Sequence, residues 1–497
     1  MVPEREWRGA GQNMDKRTAR KVHGEDFKRA LNEIREQFVR EHAQRQQQQD
    51  GMAAAALGND QIRVYVRKRP LLPHELEKSE FDVISSIGKR EIVIHECKMY
   101  NDMRHKYVVS HHQRFSTCYD EHVDTEAVYH DAAKHLLLHT MEGGKSVCMM
   151  YGQTGSGKTH TMGGLFQYIA EDLFTEAVGN VDFSISVSAV EIAGSKCFDL
   201  INDRSKVLVC EDADGNINLL NSSEVEADST NSLLDVLENV KDLRTTESTS
   251  VNSQSSRSHL VCYINLRYPI SERKKAEGER GMLYGQIVLL DLAGSERNAD
   301  SFRHDAARHK ETIEINKSHL ALKECIRAIG SEDTTGYVPY RASTLTRILK
   351  GCLWSKNSKA SVIATISPLS VDTEHTLHTL LCAGQMLEDA PHVSTERMDV
   401  KEEGEDDRIV PIREWDNDHV KKWIASLRKG EFQKYLTNIS GSIDGRMLVR
   451  LTLIRFKQIC NGNAVDAGHL LKALRDEMSE QDKTLKARRE HNAARHK

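Results

Sequence analysis

Three features are missing from the sequence, and each absence excludes a class of protein. The ten cysteines contain no C-x-x-C pair, so we expect neither a disulfide nor a zinc framework. No apolar run approaches the roughly twenty residues that span a bilayer, and the first residues lack the apolar core of a secretory signal. These absences predict a soluble, intracellular protein with no membrane partner.

A large excess of charge of one sign is missing as well. The formal net charge is −5, although 29% of the 497 residues are charged. A polyanionic partner would therefore have to meet a local basic patch, and we expect no nucleic-acid partner. At this length the chain can form two or three domains and at least one sizeable core.

A glycine-rich turn follows an apolar run and ends in Lys158 and Thr159. The spacing G-x-x-x-x-G-K-T is that of a phosphate-binding loop. Gly152, Gly155 and Gly157 lack the side chains that would keep backbone N–H groups away from phosphate oxygens, and a helix beginning here adds partial positive charge. Lys158 is expected to reach the β- and γ-phosphates of a nucleotide, and Thr159 to bind Mg²⁺ through its hydroxyl. A chance match is disfavoured by two motifs further along the chain.

The first of these motifs is a run of hydroxyl side chains around Arg257, at residues 250–259. Taken alone it is either a flexible loop or a ligand set for a γ-phosphate and its Mg²⁺. The second is the apolar run 286–290, which ends in Asp291, where P-loop enzymes hold the nucleotide Mg²⁺ through water. The residues expected to surround the γ-phosphate and the attacking water are Asn252, Ser255 and Gly294.

Strand patterns alternate with helix patterns on both sides of the phosphate loop. Strands are predicted at residues 62–66, 183–192, 260–266 and 286–290, and helices at 166–177 and 233–243. This alternation predicts an α/β fold, with a mainly parallel sheet covered by helices and the nucleotide at the carboxyl ends of the strands. Phosphoryl transfer to water at such a site depends on positioning and charge neutralisation.

Taken together, the motifs resemble the kinesin motor domain in order and spacing, over residues 60–392. The resemblance is carried by Arg67-Lys68-Arg69-Pro70, GQTGSGKTHT at 152–161, residues 252–259, DLAGSER at 291–297, and Glu314-Ile315-Asn316-Lys317-Ser318. It implies a P-loop fold, ATP and Mg²⁺ as ligands, tubulin or microtubules as the partner, and a microtubule-stimulated ATPase as the activity.

The same resemblance implies roles for single residues. The expected ATP-binding residues are Arg67, Arg69, Pro70, Gly152, Gln153, Thr154, Gly155, Ser156, Gly157, Lys158, Thr159 and His160. The expected Mg²⁺ residues are Thr159, Ser256 and, one water further out, Asp291. The expected catalytic residues are Asn252, Ser255, Arg257, Gly294 and Glu296. Arg257 and Glu296 are expected to form a salt bridge that closes on ATP, with an ordinary surface ion pair as the alternative.

Within the family, residues 315–329 and 66–70 look most like the kinesin-13 class, which depolymerises microtubule ends instead of walking. A charged helix before the motor agrees with this class, as does the lack of a neck-linker-like segment leading into heptads. The tip of the second loop departs from the class, because Tyr100-Asn101-Asp102 stands where Lys-Val-Asp is usual. A motile or end-capping kinesin and a weakly hydrolysing microtubule scaffold remain as alternatives. Candidate tubulin contacts are Lys98, Arg104, Lys106, Lys317, Arg341 and Arg347.

The segment before the motor, residues 1–59, contains an apolar stripe typical of one helix face. The stripe consists of Phe27, Leu31, Ile34 and Phe38. The helix either docks on the motor or forms a basic arm for an acidic partner. The cations of such an arm would be Lys16, Arg17, Arg20, Lys21, Lys28 and Arg29.

Three segments are expected after the motor. Residues 393–410 are acidic and poor in apolar side chains, which predicts a linker. Residues 411–480 resemble a sterile alpha motif (SAM) domain, which implies a SAM or other protein partner, with a generic helical bundle as the alternative. Residues 481–497 form a basic tail. The expected location is the cytoplasmic cytoskeleton, with spindle and flagellum both open.

Overall fold

The computed structural model divides the chain into two compact units, Met1–Val400 and Lys401–Lys497. The residues that it describes are 15–48, 61–100, 105–177, 183–246, 257–271, 279–295, 306–330, 337–355, 357–387, 394–400 and 412–495. Within these ranges, no helix combines the length and the apolar character needed to cross a membrane.

The first unit contains all the strands found in these ranges. They are β1 (Ile62–Lys68), β2 (Ile84–Ile87), β3 (Glu91–Met99), β4 (Lys106–Arg114), β5 (Thr117–Tyr119), β6 (Lys145–Tyr151), β7 (Ser184–Ala193), β8 (Lys196–Asp199), β9 (Ser205–Glu211), β10 (Ile217–Leu220), β11 (Val225–Ala227), β12 (His259–Arg267), β13 (Leu283–Asp291), β14 (Ser358–Ile366) and β15 (Ser394–Val400). The helices of this unit are α1 (Lys16–Val22), α2 (Gly24–Gln48), α3 (Pro73–Leu76), α4 (Thr125–Ala132), α5 (Lys134–Met141), α6 (Lys158–Ala177), α7 (Thr230–Thr246), α8 (Ala306–Gly330), α9 (Thr344–Leu353) and α10 (Thr373–Gly384).

The large sheet has the strand order β10-β9-β8-β7-β12-β13-β6-β14-β1-β5, with β11 paired to β7. The part around the phosphate loop is parallel, because β6 pairs with β13 and β14, and β1 pairs with β14 and β5. Beyond β13 the pairs β13–β12, β12–β7 and β7–β8 are antiparallel. The predicted α/β class is confirmed, with the parallel part of the sheet carrying the nucleotide loop.

Strand β6 lies at the centre of this sheet and is apolar on both sides. Val147 and Met149 join one hydrophobic core, and Cys148 and Met150 join a second core on the opposite face. A parallel strand that is covered on both faces needs no alternation of apolar and polar residues. The apolar run before the glycine-rich turn is therefore explained by its position between two layers of helices.

Helix α2 packs against the strands of the first unit. The side chains of Phe27, Leu31, Ile34 and Phe38 are buried in the first core, and the ring of Phe38 lies 6.1 Å from that of His95. This outcome matches the docked-helix alternative.

Two cations of the proposed basic arm are used inside the molecule. Arg20 is fully buried and donates hydrogen bonds to the Cys97 carbonyl (3.2 Å), the Ser370 carbonyl (3.0 Å) and the Glu374 carboxylate (2.7 and 2.9 Å). Lys16 pairs with Glu96 at 3.2 Å. The basic-arm hypothesis is wrong for Arg20, since a buried and paired cation is not available to a partner. Lys16 keeps a 56% exposed side chain, so its ion pair does not remove it from the surface.

Strand β15 lies in the stretch whose composition predicts a linker. It pairs antiparallel with β4 from Ser394↔His112 to Val400↔Lys106, which gives a small sheet of order β15-β4-β3-β2. Arg397 lies over the ring of Tyr107, 4.0 Å from its centroid. The linker prediction is therefore wrong for 394–400. An edge strand that faces solvent can be mostly polar, and Val400 is the only buried residue of β15.

The second unit is helical. Its helices are α11 (Asn417–Ser426), α12 (Gly445–Leu448), α13 (Leu453–Ile459) and α14 (Ala464–Arg495), with short 3₁₀ turns at Ile412–Glu414, Leu427–Gly430 and Gln433–Asn438. They enclose a core that includes Trp415, Val420, Phe432 and Phe456. The described residues from Ile412 onward thus form one helical unit, and its likeness to a SAM domain stays a prediction.

Candidate active site

The glycine-rich turn connects β6 to α6, and its backbone needs glycine. Gly152, Gly155 and Gly157 have φ angles of 151°, 77° and 100°. A Cβ on Gly152 would lie 2.3 Å from the Thr365 carbonyl oxygen and 2.8 Å from the Ser156 hydroxyl. The turn therefore packs against the end of β14, and any side chain on Gly152 would displace it.

Lys158 and Thr159 open helix α6. The Lys158 ammonium donates to the Gly152 and Gln153 carbonyls, at 2.9 Å each. Both acceptors are neutral, so the positive charge over the loop is not cancelled by a carboxylate at these two contacts. Gln153 and Ser156 are buried within the loop, whereas Thr154 and His160 are exposed. The structure thus links Gln153, Ser156 and Lys158 within one loop, and their part in phosphate binding stays a prediction.

Asp291 lies beside Thr159 at the carboxyl end of β13. The Thr159 hydroxyl donates to Asp291 Oδ2 at 2.9 Å. Asp291 is 1% exposed, and its Oδ1 atom is buried with no hydrogen-bond partner among the described residues. A buried carboxylate oxygen of this kind lacks a hydrogen-bond donor, which a metal-bound water could supply. These residues therefore fit Mg²⁺ held by Thr159, with Asp291 binding one of its waters.

Three of the residues predicted to bind the nucleotide, Arg67, Arg69 and Pro70, lie at the end of strand β1 or directly after it. Arg67 donates to the Thr161 hydroxyl at 3.0 Å, and burial lowers the pKa of its guanidinium. Arg69 donates to the Gly155 carbonyl at 2.7 Å and to the Pro70 carbonyl at 2.9 Å. Arg67 and Pro70 thus lie next to the loop, and Arg69 holds the loop itself.

Glu75 fixes Arg69 in that position. Its two carboxylate oxygens accept from the Arg69 guanidinium at 2.6 and 2.8 Å. Burial raises the pKa of Glu75, but the hydrogen bonds from Arg69 and from the Leu72 backbone outweigh it, and the net pKa is lowered. Glu75 is not among the predicted site residues, although it follows the basic motif by only a few residues.

Arg244 is a second residue that the sequence analysis missed. It is 3% exposed, forms an ion pair with Asp291 Oδ2, and donates to the Ser258 carbonyl at 2.7 Å. Its position on α7 could have indicated burial, because it follows Leu233, Leu237 and Val240 at helical spacings. Arg244 ties the end of the serine-rich motif to the acidic end of β13.

His259 is the third missed residue, and it closes the serine-rich motif. Its Nδ1 accepts the Ala293 backbone N–H at 3.1 Å, and its Nε2 lies 2.8 Å from the Ser318 hydroxyl. Burial lowers the pKa of His259 well below its ordinary value, so the ring is neutral. Since Nδ1 is an acceptor, the proton is on Nε2 and donates to Ser318.

The predicted catalytic residues are described only in part. Gly294 is buried, and the next residue, Ser295, donates its N–H to the Gly152 carbonyl at 3.1 Å, which places this turn against the phosphate loop. Arg257 lies 3.5 Å from the Glu311 carboxylate of α8. Four predicted residues lie outside the described ranges, namely Asn252, Ser255, Ser256 and Glu296.

The candidate tubulin contacts divide into two groups. Lys317 is exposed on α8, and Arg341 is exposed although it pairs with Glu211 at 3.1 Å. Lys106 is buried and pairs with Asp26 at 3.0 Å, so its assignment to a surface contact is wrong. Arg347 donates to the Val209 carbonyl at 3.0 Å, and Lys98 pairs with Glu96 at 2.6 Å. Arg104, Asn101 and Asp102 lie outside the described ranges.

A glycine-rich loop between a parallel strand and a helix, with Lys158, Thr159 and Asp291 around it, defines a P-loop nucleotide-binding protein. The kinesin motor-domain family model matches residues 67–388, and the chain belongs to this family.

Two similar proteins agree with this membership. A diatom spindle kinesin-1 from Cylindrotheca fusiformis is 37% identical over 332 residues, which is 66% of this chain and 51% of the relative. The chain thus spans about half the length of that relative. The solved structure of a fast kinesin superposes with a TM-score of 0.56 at 25% identity, and the match covers 69% of this chain and 96% of that structure.

Proposed function

We propose that this chain is a microtubule-stimulated ATPase. The observation that carries the proposal is the contact between Thr159 and Asp291 beside the phosphate loop, at 2.9 Å, with the other Asp291 oxygen left for a water. A chain that had lost nucleotide chemistry would be free to lose this pair. Membership of the kinesin family supplies the microtubule as the stimulating partner.

We assign each site residue one role in ATP hydrolysis. Backbone N–H groups of the loop and the Lys158 ammonium bind the phosphates and neutralise their charge. Mg²⁺, when bound, would neutralise charge that develops between the β- and γ-phosphates. Gly294 leaves a backbone N–H free of any side chain beside the γ-phosphate. Arg257 and Glu296 are proposed to close this site and order the attacking water.

The proposed use of this hydrolysis is control of microtubule length, as a kinesin-13-type depolymerase. The motifs at residues 66–70 and 315–329 support this assignment, as does the charged helix α2 before the motor. A specific observation favours the second candidate, a motile or end-capping kinesin. Tyr100 stands where the class has lysine, so the cation that this position usually offers to a partner is missing. The Tyr100 hydroxyl donates to Asp399 at 2.5 Å.

The second unit is proposed to bind a protein partner, in the manner of a SAM domain, and so to place the motor on one microtubule array. Its compact helical core supports an independent binding module. The name of the diatom relative makes the spindle the first array to examine, with the flagellum as the other possibility. A microtubule scaffold with weak ATP turnover is the alternative for the whole chain.

The test uses purified full-length protein with stabilised microtubules and ATP, and records filament length and phosphate release together. Shortening with phosphate release supports the depolymerase, and release at constant length supports the motile or end-capping candidate. Glu296→Ala should abolish microtubule-dependent release while ATP still binds. Equal release by this variant and by the wild-type protein would contradict the ATPase proposal.

A further inference from the structure

A chain of hydrogen bonds runs from the turn that contains Gly294 to helix α8. The Ala293 N–H donates to His259 Nδ1 at 3.1 Å, and His259 Nε2–H donates to the Ser318 hydroxyl at 2.8 Å. Ser318 in turn donates to the Ile315 carbonyl at 2.7 Å, one turn earlier in the helix. Each group therefore has a fixed role as donor or acceptor, and the chain has one direction.

The groups in this chain are buried. His259 is 2% exposed, Ser318 is 6% exposed, and Ala293 is fully covered. The His259 ring also meets the His319 ring edge-on, with 5.4 Å between centroids, and His319 meets Tyr151 of β6 at 5.6 Å. Water does not compete for hydrogen bonds in such a place, so a displacement of α8 would have to break or move the bond to Ser318.

Helix α8 presents an opposite, exposed face. Ile313 and Leu320 are 53% and 50% exposed, and Lys317 lies between them on the surface. Large apolar side chains beside a cation suit a protein partner with an acidic, partly apolar surface. Lys317 lies on the exposed face of α8, and the next residue, Ser318, lies on its buried face.

We propose that His259 is a positioning residue, which transmits contact on the outer face of α8 to the turn beside the γ-phosphate. The inference rests on the proposed microtubule-stimulated ATPase and names the link by which stimulation reaches the site. Imidazole suits the task because one rigid neutral ring accepts at one nitrogen and donates at the other. A shift of Ser318 would thereby move Ala293 and the adjoining Gly294.

The test breaks the link at its outer end with Ser318→Ala, which leaves His259 and its bond to Ala293 in place. In the full-length chain we expect affinity for a fluorescent ATP analogue and basal phosphate release to stay within about twofold of wild type. Microtubule-stimulated kcat should fall about three- to tenfold, the size that one lost hydrogen bond can produce. Ser318→Thr retains a hydroxyl and should restore most of the stimulation.

A matched control removes the same kind of bond elsewhere in the unit. His95 Nδ1 lies 2.9 Å from the Ser110 hydroxyl, and both residues are buried in the small sheet. Ser110→Ala should lower the unfolding midpoint about as much as Ser318→Ala does, but leave the ratio of stimulated to basal release unchanged. This comparison separates transmission from a general loss of stability.

Two outcomes would overturn the inference. If microtubules stimulate Ser318→Ala as strongly as wild type, the hydrogen-bond chain does not transmit the stimulation. If the basal and stimulated rates fall equally, the role of Ser318 is purely structural. Stimulation that is absent from the wild-type protein would overturn the proposed function, and this inference with it.

Discussion

Arg244 and Asp291 form a buried ion pair whose energetic coupling can be measured. Their side chains are 3% and 2% exposed, so neither charge is solvated by bulk water. Removing one partner of such a pair costs about 3–5 kcal/mol, because the other charge stays buried, whereas removing both is often close to neutral. We therefore expect Arg244→Met and Asp291→Asn each to lower the free energy of unfolding by about 3 kcal/mol or more.

The double variant should lose much less than the sum of the two single losses. With a methionine and an asparagine at the two positions no charge stays buried, so a coupling energy of at least about 2 kcal/mol is expected between them. Urea unfolding of the full chain without nucleotide measures this quantity. The helical second unit serves as an internal control, since its own transition should not shift.

Additive losses would refute the reasoning. If the two single effects sum to the double effect within about 0.5 kcal/mol, the residues act independently and the ion pair does not bind the serine-rich motif to β13. A shift in the transition of the second unit would instead show that the two units do not unfold independently, and the first unit would then need a separate probe.

Three further predictions concern docking, pH and the second unit. Arg20→Ala should destabilise the first unit by about 2–4 kcal/mol through loss of buried charged hydrogen bonds, whereas exposed Lys21→Ala should have little effect in the same urea titration. Burial lowers the pKa of His95 from 6.5 to about 3, so the unfolded chain binds a proton first as pH falls, and stability decreases from pH 6.5 downward by at most about 1.4 kcal/mol per pH unit. Unfolding midpoints at about pH 7.5 and about pH 5.5, on either side of that ordinary pKa, should show this loss, and His95→Gln should reduce it. Gly445→Ala should unfold the second unit but spare ATP turnover, because its Cβ would lie 1.6 Å from the Ile412 carbonyl oxygen, while Gly441→Ala meets nothing within 4 Å and should be silent by circular dichroism.

The sequence was sufficient for the parts of the site that lie close together along the chain. The loop that ends in Lys158 and Thr159 has a fixed spacing, because one turn of backbone must surround phosphate, and such spacing is readable in any sequence. Asp291 was found for a similar reason, since it ends an apolar run. The structure places Thr159 beside Asp291 and the Lys158 ammonium on the Gly152 carbonyl.

Residues that act across large separations were not predictable in this way. Arg244 reaches Asp291, at the end of strand β13, from helix α7, and His259 reaches Ser318 across 59 positions of sequence. Neither contact has a local pattern, because each depends on how α7, β12 and α8 pack. Composition alone predicts the wrong structure for 394–400, where pairing with β4 holds a polar segment in place.

The pairing of β15 with β4 bears on where the protein can be cut. A fragment ending at residue 392, which the composition alone would suggest, would remove the strand that covers β4. The bared β4 edge would then offer unpaired N–H and C=O groups to the edges of other molecules, the usual origin of strand-mediated aggregation. A fragment ending after Val400 keeps that edge closed, so solubility of the isolated motor should depend on these seven residues.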